Sequence, residues 1–239
     1  MQRANGNQSN KIQIITKNAP FQFVEAYKSL RTNLQFASVN KENRKIIVTS
    51  AVPGEGKSTV AVNLAIALAG SEGKVMLIDA DLRKPTLHRY LHLNSSKIGG
   101  VTSVLSGTKK IDECLVHFND IGINFLSSGP IPPNPAELLG SLKMEEMIKN
   151  LSSRFDYILF DTPPVSVVTD AAVLSKIADG VILVVKQNST TIESAQLAKQ
   201  NLKNVGASVI GCVLNNFKSD KSNKSSAYYH YKNYDYAYK

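Results

Sequence analysis

Residues Ile46 to Thr59 read IIVTSAVPGEGKST. Four β-prone residues run into a turn of Pro and Gly, and the turn opens directly into a helix-forming run. Strand, glycine loop and helix in that order make a P-loop, in which backbone N–H groups and a helix N-terminus gather around a phosphate chain. Gly54 and Gly56 let the backbone approach the phosphates, with Pro53, Glu55 and Thr59 completing the cradle. Lys57 is expected to reach the β- and γ-phosphates, and the Ser58 hydroxyl to sit on Mg²⁺. The strict pattern begins with Gly where this chain has Ala51, so the turn requires that Ala51 keep a negative φ.

Outward from the loop, residues 57 to 69 are apolar nearly all round (Val60, Ala61, Leu64, Ala65, Ile66, Leu68), the mark of a helix buried against a sheet. Gly73 marks a turn, and KVMLID, Lys74 to Asp79, is a short continuous apolar run expected of a parallel strand covered on both faces. It leads into Asp79, Ala80, Asp81, Leu82, Arg83, Lys84 and Pro85. Carboxylates at the end of a parallel strand beside a phosphate loop are placed to meet a bound metal. A catalytic role is expected for Asp79 and Asp81, against the plainer alternative of a surface turn. DYILFD, Asp156 to Asp161, is a third strand ending in a carboxylate, stopped by Thr162, Pro163 and Pro164, and Asp161 completes the metal-organising acids. Val181 to Val185 and Val209 to Leu214 read as two more strands, separated by a helix with the stripe Ile192, Ala195, Ala198, Leu202 and Val205. Asn215 ends the last strand, where it is placed to bond a base edge or simply to turn the chain.

The alternation predicts an α/β P-loop NTPase fold with a mostly parallel sheet and helices on both faces. Between Thr86 and Ser128 the pattern is thinner: helical pieces over Thr102 to Leu105 and Ile111 to Phe118, then a strand over Ile123 to Leu126. SGPIPPNPAELLGS, from Ser128, is a Pro-rich loop leading into a helix that starts near Pro135.

Length and charge bound the rest. With 239 residues, 43% of them hydrophobic, the chain can bury one good core. The net charge of +9 lies in the flanks, because residues 46 to 215 balance at fifteen basic and fifteen acidic residues. A nucleic-acid groove built into the domain is therefore not indicated, whereas flanks that approach an anionic surface or an acidic partner are compatible with it. Cys114 and Cys212 form no CxxC, which argues against a disulfide framework or zinc site and fits a reducing cytoplasm. No signal peptide is visible and the apolar runs are too short to span a membrane, so any membrane association is expected to come through a partner.

The domain plan that follows is a flexible arm over residues 1–20, a P-loop domain over 21–215 that begins with a helix over 21–39, and a tail over 216–239. In the first helix Phe23, Tyr27, Leu30, Leu34 and Ala37 recur at helical spacing, while Glu25, Lys28 and Arg31 follow one another three residues apart. That charged side is either a solvated face with a weak ion pair or a contact with another subunit. The tail has almost no aliphatic residues and is expected to be disordered, yet it holds six of the nine tyrosines: Tyr228, Tyr229, Tyr231, Tyr234, Tyr236 and Tyr238. Set among Ser, Lys and Asn, they read as exposed hydroxyls available as acceptors, with nucleic-acid stacking as the rival use.

From about Pro20 to Lys239 the chain resembles the bacterial P-loop tyrosine kinases (BY-kinases), in particular the separate cytoplasmic kinases encoded with capsule and exopolysaccharide machinery in Gram-positive bacteria. AVPGEGKST is similar to the family's Walker A, VMLIDADLRKP to its Walker A′, YILFDTPP to its Walker B, and YYHYKNYDYAY to its tyrosine cluster. The resemblance implies that Lys57 and Ser58 hold Mg·ATP, that Asp79, Asp81 and Asp161 organise the metal, and that Asp79 or Asp81 helps deprotonate a tyrosine hydroxyl. It implies autophosphorylation of the tail in a neighbouring subunit and a ring-like homo-oligomer made through Glu25, Lys28 and Arg31. Lys28 stands there in place of the family's Arg, so the contact has no bidentate fork at that position. It also implies a transmembrane modulator that recruits the chain to the inner face of the membrane, a cognate tyrosine phosphatase, tyrosine-bearing protein substrates and no nucleic acid. Two other readings stand beside it. One is a dimerising ATPase switch of the septum-site or partition type, whose signature Lys would fall at Val52; the other is a scaffold that binds nucleotide without transferring phosphate.

Overall fold

The computed structural model describes residues 14–37, 44–71, 73–94 and 98–217. The tail tyrosines Tyr228, Tyr229, Tyr231, Tyr234, Tyr236 and Tyr238 and the first part of the N-terminal arm lie outside the described residues.

Short runs of Val, Ile and Leu form β1 (Arg44–Ser50), β2 (Val75–Asp79), β4 (Ile123–Leu126), β5 (Tyr157–Asp161) and β6 (Gly180–Lys186), with β3 (Leu115–Phe118) and β7 (Val209–Asn215) at the edges. The order across the seven-stranded sheet is β3-β4-β2-β5-β1-β6-β7. All pairings are parallel except β3 with β4. Every residue of β2 and β5 is buried, the signature of strands covered on both faces.

Because side chains alternate along a strand, the sheet feeds two cores. Ile46, Val48, Val75, Leu77 and Leu159 face α1 (Phe21–Ala37), α2 (Lys57–Ala69) and α3 (Leu87–Tyr90). Ile47, Met76, Ile78, Ile158 and Phe160 face the opposite layer. That layer is built from α4 (Val101–Leu105), α5 (Pro135–Leu139), α6 (Leu142–Ser152), α7 (Asp170–Leu174) and α8 (Ile192–Asn204). The strand ends that carry Ser50, Asp79 and Asp161 all point to one edge of the sheet, with Asp79 level with Asp161 and Asp161 level with Val48.

Two local expectations need correction. Residues 111–118 are not a helix: a single 3₁₀ turn over Ile111–Glu113 leads into β3, which pairs antiparallel with β4 from Leu115 opposite Leu126 to Phe118 opposite Ile123. The free edge of β4 supplies backbone partners, and that pairing outweighs the local helical spacing. The helix expected near Pro135 begins there as α5 and stops at Gly140; a second helix, α6, is started by Ser141, whose hydroxyl accepts the Met144 N–H. Within the arm, Ile14 and Ile15 pack on the core and the Ile15 N–H donates to Asn63 Oδ1 at 2.7 Å, so these residues are held in place.

On α1, Tyr27 and Leu34 are buried as the spacing required. Lys28 and Glu25 form an exposed ion pair at 2.7 Å, an interaction that contributes at most about 1 kcal/mol. Arg31 does not share that outer face. Its Nη1 donates to the Ala67 carbonyl on α2 at 2.9 Å, which ties α1 to the helix that starts at the phosphate loop. Among the described residues no helix is long and apolar enough to cross a membrane.

Candidate functional site

The loop between β1 and α2 turns as its glycines dictate. Gly54 and Gly56 take φ of +84° and +89°, in the left-handed region that favours glycine. Ala51 is fully buried and is absent from the residues with positive φ, so it meets the condition placed on it. Gly56 precedes the first residue of α2, and the helix N-terminus opens at Lys57 and Ser58, beside the ends of β2 and β5.

Two groups brace the loop from behind. Glu55 is buried; its Oε2 accepts the Val52 N–H at 2.9 Å and its Oε1 accepts the Thr190 hydroxyl. Asn215, placed by the sequence either to bond a base edge or to turn the chain, has its side chain committed to the protein. Nδ2 donates to the Glu55 carbonyl at 2.8 Å, and Oδ1 accepts the Asn216 N–H at 2.9 Å. The Glu55 side chain likewise faces its own loop and the β6–α8 turn. Thr190 carries no sequence signal, since its role arises only when that turn is folded against the loop.

In front of the loop lie one ammonium and three carboxylates. Lys57 Nζ is 3.0 Å from Asp81 Oδ2 and 3.5 Å from Asp161 Oδ1. Asp81 Oδ1 accepts the Lys84 N–H at 2.9 Å, and Asp79 Oδ2 accepts the Leu87 N–H at 3.1 Å. Asp79 Oδ1 and both oxygens of Asp161 are buried without a hydrogen-bond partner. Ser58 Oγ accepts the Thr86 hydroxyl at 3.1 Å and the Lys57 ammonium at 3.5 Å, which leaves its own hydrogen to donate. The structure thus brings Lys57, Ser58, Asp79, Asp81 and Asp161 together, and leaves Glu25, Lys28 and Arg31 on α1 outside the group.

Burial pushes Asp79 well above the ordinary carboxylate range, and the charge of Asp161 pushes it the same way. Burial also raises Asp161, with the Lys57 ammonium opposing. Burial by itself lowers Lys57, but the charges of Asp161 and Asp81 outweigh it, and the ammonium is held above its usual value. Buried, underused carboxylate oxygens at the mouth of a phosphate loop suit a divalent cation. Among the described residues no three His, Cys, Asp or Glu side chains form a metal cage of their own. Mg²⁺ needs no such cage, because it takes one or two carboxylates and draws its remaining ligands from phosphates and water.

The raised values have a testable sign. The stability that Asp79 contributes is fully present below the unfolded carboxylate pKa and is lost as pH rises through the raised folded value. Asp79→Asn keeps an acceptor for the Leu87 N–H and removes the charge. Its Tm gain over the wild type is expected to grow as pH rises from about 5 to about 8. Thermal unfolding across that range checks it, and a difference that shrinks with pH contradicts it.

A family model described as ParA, NUBPL iron-transfer P-loop NTPase, matches residues 41–237. The tyrosine-protein kinase YwqD of Bacillus subtilis is 42% identical over 204 residues, 85% of each chain. The tyrosine-protein kinase Etk of Escherichia coli is 34% identical over 215 residues, 87% of this chain but 29% of that longer protein. Its solved kinase domain superposes with a TM-score of 0.76 at 32% identity, covering 88% of this chain and 86% of that one. The chimerical protein CapA2B2 superposes with a TM-score of 0.78 at 33% identity, covering 84% and 87%.

Proposed function

The chain belongs to the bacterial P-loop tyrosine kinases, a kinase branch of the ParA-type P-loop NTPases, and from that premise we propose that it transfers the ATP γ-phosphate to tyrosines of its own tail presented by a neighbouring subunit. The acceptors are Tyr228, Tyr229, Tyr231, Tyr234, Tyr236 and Tyr238. The observation that carries the reading is the grouping of Lys57 with Asp79, Asp81 and Asp161 at the open end of the phosphate loop.

Backbone N–H groups from Gly54 to Thr59, at the α2 N-terminus, bind the phosphate chain. Lys57 leaves its carboxylate partners for the β- and γ-phosphates, which frees Asp81 and Asp161. A bound Mg²⁺ would supply positive charge against the negative charge that develops on the phosphates. Ser58 and one or two of the carboxylates of Asp79, Asp81 and Asp161 would hold it. A tyrosine hydroxyl has a pKa of about 10, so attack at neutral pH needs a positioned base. Asp81 is the better candidate for that base, because Asp79 is fully buried and already accepts the Leu87 N–H. Asp81 accepts the phenolic proton as the oxygen attacks the γ-phosphorus and ADP leaves.

Each added phosphate brings roughly 1.5 to 2 negative charges, which disfavours return of the tail to a site lined by three carboxylates. Loosening of the assembly on phosphorylation is the switch through which the kinase regulates polysaccharide synthesis and export, with a phosphatase as the reverse arm. The names CapB and AmsA among its relatives, and one described as a kinase in a cps region, support that setting. A transmembrane modulator supplies the membrane attachment and the activation, and the Glu25–Lys28 face of α1 contributes to a ring-like oligomer. The partition-type switch is the weaker reading, because Val52 stands where its intermonomer lysine is required.

The test is intact mass after incubation with Mg·ATP and the modulator's cytoplasmic segment. Full-length chain is expected to gain several phosphoryl groups, and a chain ending at Ser226 almost none. Phosphoryl groups retained in the shortened chain, or ATP hydrolysis with no covalent product, count against the tail as acceptor.

A further inference from the structure

Asp170 opens α7, nine residues after Asp161, and belongs to none of the three nucleotide motifs. It is 0% exposed, and its carboxylate is gripped by Arg83 in a two-pronged contact: Nε to Oδ2 at 2.9 Å and Nη2 to Oδ1 at 3.0 Å. Arg83 is two residues beyond Asp81, within the turn that the Asp81–Lys84 hydrogen bond closes. The pair therefore joins the loop after β2 to the loop after β5.

The second loop is itself fixed. The Thr162 N–H donates to the Val48 carbonyl at 3.1 Å, the Thr49 hydroxyl to the Pro163 carbonyl at 2.8 Å, and the Val165 N–H to the Ser50 carbonyl at 3.0 Å. These bonds anchor it to the end of β1, the strand that enters the phosphate loop. Asp79 needs no further restraint, since it lies within β2 and is level with Asp161 across the ladder. Asp81 is beyond the end of β2, where the ladder no longer acts. A fork between a planar guanidinium and a carboxylate fixes orientation as well as distance, which a lysine's single point charge does not.

We propose that Arg83 and Asp170 are positioning residues for phosphoryl transfer: the Arg83–Asp170 fork ties the Asp81-bearing turn to the Asp161 loop and so sets where the Asp81 carboxylate stands relative to the phosphates and the incoming tyrosine. The inference rests on the reading of Asp81 as a reacting residue. It assigns to the pair an effect on the transfer step and none on nucleotide capture, because the phosphate cradle from Gly54 to Thr59 is braced separately by Asn215 and Thr190.

The test uses the full chain with Mg·ATP and the modulator's cytoplasmic segment. Single-turnover transfer to tyrosine is measured per nucleotide-binding molecule, and ATP Kd is measured separately. Asp170→Asn and the milder Arg83→Lys are each expected to slow transfer on the order of tenfold, the scale of a small misplacement of a reacting group, with ATP Kd within about twofold of wild type. The double variant is expected to be no slower than the slower single one, since both break the same contact. Transfer at the wild-type rate, or a loss matched by weaker ATP binding and additive in the double variant, overturns the inference. Asp81→Asn in the same assay separates the two levels. If it is inactive while Asp170→Asn is unaffected, only the role of the fork fails; if it is active, the assignment of Asp81 fails and the fork's role with it.

Discussion

Lys57→Met is expected to lower tyrosine phosphorylation by on the order of a thousandfold while the chain stays folded, on the scale seen when one preorganised charge stabiliser is removed from a transition state. Methionine keeps most of the apolar stem and removes the ammonium. In the wild type that ammonium lies 3.0 Å from Asp81 and 3.5 Å from Asp161, and it is the positive charge that the structure sets against a group of three acids. Its loss acts twice. The γ-phosphate loses its cationic partner in the transition state, and Asp161, already raised by burial, loses the charge that pulls it down and rises further. Phosphotyrosine formed per minute, beside the unfolding curve of each protein, checks the expectation. Transfer within tenfold of wild type in Lys57→Met places the γ-phosphate away from this lysine.

Gly56→Ala is expected to weaken ATP binding by on the order of a hundredfold through two separate effects. At φ of +89° a side chain costs about 1–2 kcal/mol in the left-handed region. The added Cβ would also lie 2.0 Å from Asn215 Nδ2, the atom that holds the Glu55 carbonyl. The loop has to move, and with it the N–H groups aimed at the phosphates. The pair of changes Gly56→Ala and Asn215→Ala removes the collision but keeps the strain and forfeits the brace, so it is expected to recover only part of the affinity. Calorimetric titration with ATP compares the three proteins. Wild-type affinity in Gly56→Ala contradicts the loop's role as the phosphate cradle.

Much of this architecture was legible because its elements are short-range. Strand, glycine turn and helix follow each other within fourteen residues, Ile46 to Thr59, and buried parallel strands announce themselves as continuous apolar runs that stop at Asp79 and Asp161. What escaped depends on partners distant in the chain. The segment 115–118 becomes a strand only because the edge of β4 is free to pair with it. Asp170 looks like any helix-starting acid until Arg83, 87 residues earlier, reaches it. Asn215 sits at the end of the last strand as expected, but the loop claims its amide from 160 residues away. Arg31 lies three residues after Lys28, which leaves it about 60° further round the helix, and from there its long side chain reaches the Ala67 carbonyl on α2. A neighbour's surface contact built from Glu25, Lys28 and Arg31 therefore has to share Arg31 with a bond inside the same chain.

The most direct test of the account mixes two defective chains. One carries Lys57→Met with its tail intact; the other keeps Lys57 and ends at Ser226. Neither can label itself, the first for want of the site and the second for want of acceptors. Incubated together with Mg·ATP and the modulator's cytoplasmic segment, the full-length Lys57→Met chain is expected to gain phosphoryl groups on its tail tyrosines, identified by intact mass and fragment mapping between Tyr228 and Tyr238. An unmodified Lys57→Met chain, while the wild type labels itself under the same conditions, would contradict transfer from the site of one subunit to the tail of the next.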